Sequence, residues 1–303
     1  MEKRNEHCEK EGSLRCDLHT HSVFSDGTYT PGEIVAEAKR LGLIVALTDH
    51  NTAAGLPEFM DEAQKLGVTA VPGVEFSTDY HGKELHLLGL FVLPEHYDAV
   101  KQMVKEQHVL KEICNMELVE RLNQAGYLID YSKVKGRNPN GNANRAHVAA
   151  ELMELGYVTS IQEAFQTILS DDGGFYVPPA RLQLMDVIRD LCGIGVLPVL
   201  AHPLQELTEA ELRELLPGAI EAGLAGLETV HSSYSPETIA LAEKIAEEFH
   251  LLPSGGSDFH GSIKPDIFLG VGKGEICVSE KIYLDLLNAR NAMSPMDRSN
   301  SAD

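Results

Sequence analysis

Residues 43–50 read Leu43-Ile44-Val45-Ala46-Leu47-Thr48-Asp49-His50, an apolar run that ends in two ionisable residues. A continuous apolar run of this length is typical of a β-strand that is buried on both faces, as in a parallel sheet. Asp49 and His50 would be destabilising at the end of such a strand unless they had partners. The stretch therefore predicts an α/β fold in which the carboxyl end of a core strand carries function.

Strands and helices alternate on both sides of this run. Before it, a strand is predicted over 14–18, and a helix starts at Thr30 (N-cap) and Pro31 and ends near Gly42. This order predicts parallel pairing in a layered or barrel α/β fold. The later predicted strands are 68–74, 85–92, 196–201, 226–230 and 251–254, and the later predicted helices are 56–66, 184–192, 209–222 and 236–249.

The alternation is interrupted in the middle of the chain. A long helix is predicted over 97–125, followed by a Gly/Asn-rich stretch, short helices over 145–155 and 161–169, and a turn that begins at Asp171. The last glycine-rich segment, 270–274, is interpreted as a loop that no helix follows. The predicted organisation is a barrel formed by 14–97 and 181–290, a helical insertion over 98–180 that covers the active site, and polar termini at 1–13 and 291–303.

Composition limits the partners of the chain. Its 303 residues carry a net charge of −21, which disfavours an extended nucleic-acid surface, although bound cations could still attract a small phosphate. No apolar run is long enough to span a membrane, and the charged first residues do not resemble a signal peptide. The five scattered cysteines include no C-x-x-C pair, which favours reduced thiols and a cytoplasmic location.

Imidazole and carboxylate side chains recur where the predicted strands end. The carboxyl ends of parallel strands open onto one face of a barrel, so residues that are distant in sequence would meet there. Such side chains bind divalent metals well, and they are too numerous for one ion, which predicts a multinuclear metal centre and hydrolytic chemistry. The residues concerned are His19, His21, Asp26, Asp49, His50, Glu75, His86, His202, His231, Asp258 and His260.

Three members of this set have simpler interpretations when taken alone. Asp26 lies between Ser25 and Gly27, so it could be an ordinary turn carboxylate. His86 lies inside an apolar run and could be a buried core residue. His231 could be a ligand, a proton donor, a substrate contact or a structural hydrogen-bonding residue.

As a set, the motifs resemble those of the PHP (polymerase and histidinol phosphatase) family of metal-dependent phosphoesterases. Their order and spacing match this family over residues 14–275. The resemblance implies a distorted (β/α)7 barrel that holds two or three divalent ions, with Mn favoured and Zn or Fe as alternatives. The matching motifs are Asp17-Leu18-His19-Thr20-His21-Ser22, Thr48-Asp49-His50, Pro72-Gly73-Val74-Glu75, Ala201-His202-Pro203 and Gly256-Ser257-Asp258-Phe259-His260.

The resemblance also implies how the ligands divide among three ions. Asp258 and His231 would additionally take part in catalysis, and Asp49 would support the ligands from behind. One ion would take His19, His21, Glu75 and Asp258; a second would share Glu75 and add His86 and His202; a third would take Asp26, His50 and His260.

The helical insertion, with Asn144-Arg145-Ala146-His147, resembles the stand-alone branch of the family. That branch acts on nucleoside 3′,5′-bisphosphates and on the 5′ ends of short RNAs, and an arginine of its insertion contacts the substrate phosphate, here Arg145. A hydroxide that bridges two ions would attack the phosphate ester. His231 could then supply a proton to the leaving oxygen.

Three other functions are weighed against this one. A histidinol phosphate phosphatase would use the same chemistry on another small substrate. An amidohydrolase-type C–N hydrolase would share the barrel and the H-x-H motif, but it often uses a carboxylated lysine as the bridge, whereas Glu75 takes that place here. A non-catalytic metal-binding or phosphate-binding module would tolerate the loss of several ligands, yet none is missing.

Overall fold

The computed structural model describes residues 15–137, 143–170, 174–177, 180–274 and 276–293. The predictions for residues 1–13 and for the turn that begins at Asp171 fall largely or wholly outside these ranges. The strands are β1 Arg15–Asp17, β2 Leu43–Leu47, β3 Ala70–Tyr80, β4 Lys83–Leu90, β5 Leu182–Gln183, β6 Leu197–Ala201, β7 Gly226–His231, β8 Leu252–Gly256 and β9 Val278–Ser279. The helices are α1 Pro31–Leu41, α2 Leu56–Leu66, α3 Tyr97–Gln124, α4 Tyr131–Gly136, α5 Arg145–Glu154, α6 Ile161–Gln166, α7 Leu184–Gly193, α8 Glu209–Ala222, α9 Pro236–Glu248 and α10 Glu280–Ala292.

The strands form one sheet that closes on itself. Their order is β8-β7-β6-β4-β3-β2-β1-β9, and β5 pairs with β3. The chain segments that follow β1 and β8 are joined as well, since Leu18 N donates to Gly255 O at 3.1 Å and Asp258 N donates to His19 O at 2.9 Å. The predicted barrel-like α/β fold is therefore confirmed.

One strand runs against the others. β4 is antiparallel to both β3 and β6, so the prediction of parallel pairing was wrong for this strand. The physical reason is that no helix lies between β3 and β4, so the chain turns back as a hairpin that pairs Tyr80 with Lys83. As a result, His86 in the first half of β4 lies beside Ala201 at the carboxyl end of β6.

β3 is also longer than the sequence predicts. Glu75 lies inside this strand rather than at its end, because β3 continues to Tyr80 in the hairpin with β4. It is nevertheless level with the end of β2, where it forms a parallel bridge with His50.

The strands separate two apolar layers. In β2, Leu43, Val45 and Leu47 belong to a cluster that includes helical residues of α1, α2 and α7. Ile44 and Ala46 point the other way and join a second cluster. All five residues are buried, which confirms the prediction of a strand with two covered faces.

The helix α10 was not predicted. The glycine-rich segment is followed by a helix of 13 residues, so the interpretation of this region as loop alone was wrong. Only Leu286 of this helix is fully buried, which leaves a weak apolar periodicity in the sequence. Leu286 shares its apolar cluster with Cys16, Ile44 and Leu197, which lie in β1, β2 and β6.

The helices α3 to α6 contain an apolar cluster of their own. Its members include Leu118 and Leu122 of α3 together with Val148 and Leu152 of α5. Such a separate core is what an inserted subdomain requires, and the division of the chain at residues 98 and 180 stays a prediction.

Two further predictions concern the cysteines and membrane spans. Cys16, Cys114 and Cys192 carry free thiols, whereas Cys277 is disulfide-bonded, contrary to the prediction of reduced thiols. Among the helices of the described ranges, none combines the length and apolarity that crossing a membrane would require.

Replacing Leu286 with Ala should destabilise the barrel, because Leu286 is fully buried among strand residues. We expect the free energy of unfolding to fall by about 2–5 kcal/mol, the range for a buried Leu→Ala change. Leu284→Ala on the same helix, at a site that is 44% exposed, is the matched control. Urea denaturation measures both, and equal effects of the two substitutions would contradict the packing of α10 on the barrel.

Candidate metal centre

The carboxyl ends of the barrel strands bring the predicted ligands together. His19 and His21 follow β1, His50 follows β2 and His202 follows β6 directly. His231 is the last residue of β7, while Asp258 and His260 follow β8. Glu75 of β3 and His86 of β4 are brought to the same place by the hairpin.

Glu75 lies at the centre of the cluster, and its side chain is 1% exposed. Its Oε2 lies 3.2 Å from Nε2 of His19, 3.2 Å from Nε2 of His21 and 3.0 Å from Nδ1 of His50. Five imidazoles therefore surround one carboxylate, since the other oxygen, Oε1, lies 2.9 Å from Nδ1 of His86 and 3.2 Å from Nε2 of His202.

Asp26 holds a second group of imidazoles beside Glu75. Its Oδ1 lies 3.2 Å from Nε2 of His260 and 3.8 Å from Nδ1 of His21, and its Oδ2 lies 3.8 Å from Nε2 of His50. Asp26 therefore lies beside three imidazoles of the cluster, and its role as a metal ligand stays a prediction.

Asp258 connects the cluster to a lysine. Its Oδ1 faces Nε2 of His21 at 3.3 Å and Nε2 of His19 at 3.7 Å. Its Oδ2 accepts a hydrogen bond from Nζ of Lys264 at 2.6 Å. Lys264 was not singled out from the sequence, because it lies in a polar loop segment with no motif around it.

The residues fit divalent metal ions. Four buried atoms of the cluster have no hydrogen-bond partner: Oδ1 of Asp26, Nδ1 of His50, Oε2 of Glu75 and Nδ1 of His86. Buried polar atoms are almost always satisfied, so atoms that converge without hydrogen-bond geometry indicate a missing common partner. Groups of nitrogen and oxygen donors lie within 4.8 Å of one another, which is the donor chemistry that Mn, Zn and Fe accept.

Burial and charge prepare these side chains for cations. Burial lowers the pKa of His50 to about 3, which keeps its imidazole neutral and able to coordinate. Burial opposes ionisation of Glu75, but the neighbouring His19, His50 and His86 hold its pKa well below the usual value. Glu75 is therefore an ionised carboxylate near neutral pH, as a bridging ligand must be.

Glu228 is a site residue that the sequence analysis missed. It is fully buried in β7, where its Oε1 lies 3.1 Å from Nδ1 of His19 and its Oε2 accepts from the backbone N of His202 at 2.8 Å. A carboxylate that accepts a hydrogen bond from Nδ1 of His19 keeps the proton on that nitrogen, so the lone pair of Nε2 faces the cluster. The signal in the sequence was an acid inside an apolar strand, which is destabilising without a partner.

Asp49 supports the loop that follows β1. Its oxygens accept from Ser22 N at 2.7 Å, Ser22 Oγ at 2.6 Å and Ser25 Oγ at 2.6 Å. Ser25 Oγ in turn lies 3.4 Å from Nδ1 of His21. Asp49 thus acts on His21 through a serine, in keeping with its predicted supporting position.

Three residues of the ligand loops have a left-handed backbone. The φ angles are 52° at Asn51, 27° at His202 and 56° at Asp258. Such angles are uncommon for residues with a Cβ and concentrate at functional sites, where surrounding contacts hold them in place.

A cavity of about 1170 Å³ opens beside the cluster. His50, His86 and His202 line its barrel side, and Lys111 and Arg145 line its helical side. The guanidinium carbon of Arg145 lies 4.5 Å from the ring centre of Tyr176 and 5.6 Å from that of Phe165. The structure thus places the predicted Arg145 on the wall opposite the ligands, where stacking on aromatic rings orients it.

This geometry agrees with comparisons to known proteins. The model of the PHP domain family matches residues 17–175, and the chain belongs to this family. A crystal structure from Bifidobacterium adolescentis, assigned as a metal-dependent phosphoesterase, superposes with a TM-score of 0.81 at 29% identity, covering 91% of this chain and 96% of that one. The protein is a metal-dependent phosphoesterase and therefore a hydrolase.

Curated relatives cover most of the chain. A 5′-3′ exoribonuclease of Haemophilus influenzae is 31% identical over 80% of this chain and 89% of its own length. A phosphoribosyl 1,2-cyclic phosphate 1,2-diphosphodiesterase of Eggerthella lenta is 31% identical over 81% and 94%. A 3′,5′-nucleoside bisphosphate phosphatase of Chromobacterium violaceum is 29% identical over 80% and 86%.

Replacing Glu228 with Gln should weaken metal binding, because Glu228 orients His19 and the backbone of His202. We expect the affinity to fall roughly ten- to a hundredfold, as is usual when the partner of a ligating imidazole is altered. Titration with Mn²⁺ and metal analysis after dialysis measure the effect. Glu243→Gln, on an exposed part of α9, is the matched control; unchanged affinity in Glu228→Gln would refute the role of this carboxylate.

Proposed function

We propose that this enzyme hydrolyses a phosphate ester of a nucleotide, either in a 3′,5′-bisphosphonucleotide or at the 5′ end of a short RNA. The observation that carries the proposal is the shared cavity, in which the ligand cluster faces Lys111 and Arg145. A substrate with two phosphates could place one at the cluster and the other against these cations. The exoribonuclease and the bisphosphate phosphatase among its relatives act on substrates of this kind.

Lys111 is the cation that most needs an anionic partner. It is half-buried on α3, and its Nζ has no ion pair within the described part of the chain. Burial lowers its pKa, while Asp26 and Glu84 oppose that shift. Arg181 also lines the cavity, but Glu84 already pairs with it at 2.5 Å. Lys111 and Arg145, which both line the helical wall of the cavity, are the proposed contacts for a second phosphate.

The ions are proposed to be held in three groups centred on Glu75, Asp258 and Asp26, with the ligand sets implied by the family. Mn is proposed as the metal. When bound, such ions lower the pKa of a coordinated water to about 7 and neutralise the negative charge of phosphoryl oxygens. The protein's part is to keep Glu75 ionised and His50 neutral, and to present Arg145 to the substrate.

Two rivals are less well supported by the site. A C–N hydrolase of this type often uses a lysine as the bridge, but Glu75 occupies the centre and Lys264 pairs with Asp258 at the edge. A small phosphomonoester has only one phosphate, so it would offer Lys111 and Arg145 no second phosphate to contact. A cytoplasmic location stays a prediction, favoured by three free thiols and opposed by the disulfide at Cys277.

Turnover with Mn²⁺ should be observed on 3′-phosphoadenosine 5′-phosphate and on a short 5′-phosphorylated RNA, and it should be much lower on histidinol phosphate. Phosphate and nucleotide release measure it, with a cyclic phosphodiester included because one relative cleaves such a bond. His50→Ala should lose most turnover while keeping its circular dichroism spectrum. Turnover of none of these substrates by metal-loaded protein would refute the proposed function.

Lys111→Met should raise the KM for the bisphosphate but leave hydrolysis of a nucleoside monophosphate nearly unchanged, because only the former has a second phosphate. We expect the KM to rise roughly ten- to a hundredfold, the value of a lost charged hydrogen bond. Lys105→Met, at an exposed position of the same helix, is the matched control. Equal effects on both substrates would contradict a second-phosphate contact.

A further inference from the structure

The Nδ1 atom of His231 is surrounded by groups that can donate. The backbone N of Ser233 donates to it at 3.2 Å, Nε2 of Gln205 lies at 3.1 Å and Oγ of Ser233 lies at 2.8 Å. A backbone N–H can only donate, so Nδ1 must present its lone pair. The neutral ring then carries its proton on Nε2.

The proton placement of His231 is therefore opposite to that of two ligand imidazoles, His19 and His260. Nδ1 of His19 faces Glu228 Oε1 at 3.1 Å, and Nδ1 of His260 faces the carbonyl of Asp258 at 2.9 Å. In both contacts Nδ1–H can donate to the oxygen, so the neutral form of each ring turns the lone pair of Nε2 toward the cluster. His231 turns an N–H toward the cluster, and an N–H does not coordinate a metal.

The Nε2–H of His231 has no acceptor within the described residues. The atom is buried without a hydrogen bond, and its nearest ionised neighbour is Oδ2 of Asp258 at 3.5 Å. A buried donor that makes no hydrogen bond costs about 1–3 kcal/mol of stability. A phosphoryl oxygen bound at the cluster would provide the missing acceptor.

The fold holds this arrangement in place. A register shift in β7 between Glu228 and Val230 lets both Glu228 and His231 reach the site, although they lie three positions apart in the strand. Gln205 lies in the turn Pro203–Gln205 that directly follows the ligand His202. Its amide nitrogen also donates to Ser233 Oγ at 2.7 Å, which fixes the amide relative to Nδ1.

We propose that His231 donates its Nε2–H to a phosphoryl oxygen of the substrate, and that Gln205 and Ser233 are positioning residues that keep its proton on Nε2. This inference rests on the proposed function, and it decides between the roles that the sequence left open. An acid role would require a second proton on Nδ1, where the Ser233 N–H already points. His231 is thus neither a metal ligand nor the source of the leaving-group proton.

The first test compares two substitutions of His231. His231→Gln retains an N–H donor, so it should keep at least tenfold more kcat/KM than His231→Ala, with the bound metal unchanged in both. For each variant, kcat/KM should fall by the same factor on p-nitrophenyl phosphate as on an alkyl phosphate, because the donor does not protonate the leaving group. Loss of metal from both variants, or a loss confined to poor leaving groups, would overturn the inference.

The second test observes the proton directly. Nitrogen NMR of the protein loaded with diamagnetic Zn²⁺, assigned by comparison with His231→Gln, should show the Nε2–H form of His231. Gln205→Glu places a carboxylate beside Nδ1, so the proton should move to Nδ1 and kcat/KM should fall at least tenfold. Gln64→Glu, an exposed change of equal charge, should alter neither.

An Nδ1–H form in the wild-type spectrum would refute the inference whatever the activity. Failure of the wild-type enzyme to hydrolyse any phosphate ester would refute the proposed function instead, and the spectrum would still report which nitrogen carries the proton. The two failures are therefore distinguishable.

Discussion

The buried carboxylate of Glu75 is the constraint on which the rest of the site depends. An isolated carboxylate at 1% exposure would be strongly destabilising, and five imidazoles, one within β4 and four beyond the ends of β1, β2 and β6, meet this need. The barrel must therefore bring β1, β2, β4 and β6 to one level, which explains why their ends converge. Metal ions would complete an arrangement in which several inward-facing nitrogen and oxygen atoms have no hydrogen-bond partner.

The reversed strand β4 is part of the same solution. If β4 ran parallel to its neighbours, His86 would lie toward the far end of the barrel and would miss Oε1 of Glu75. The hairpin with β3 turns it around, and the pairing of His86 with Ala201 sets it beside His202. A local feature, the short turn between Tyr80 and Lys83, thus decides the composition of the metal centre.

Much of this could be predicted from the sequence, because apolar runs and their polar ends are local signals. The helix bounds at Pro31–Leu41, Leu56–Leu66 and Glu209–Ala222 were confirmed, and so was the barrel. The direction of β4 was missed, although the lack of a helix before it indicated a hairpin. Glu228 had a local signal, an acid inside an apolar strand, but its partners His19 and His202 lie on other strands; the proton position of His231 has no local signal.

The closure of the barrel has a consequence for how the chain acquires its site during synthesis. Asp17 accepts hydrogen bonds from Ser257, 240 residues away in sequence, and the loops that hold His19 and Asp258 meet only across this seam. Contacts of such high sequence separation form late in folding. A nascent or truncated chain would therefore hold at most part of the ligand set. Only completely folded chains would bind the metal tightly, and that binding would then stabilise the folded state by mass action.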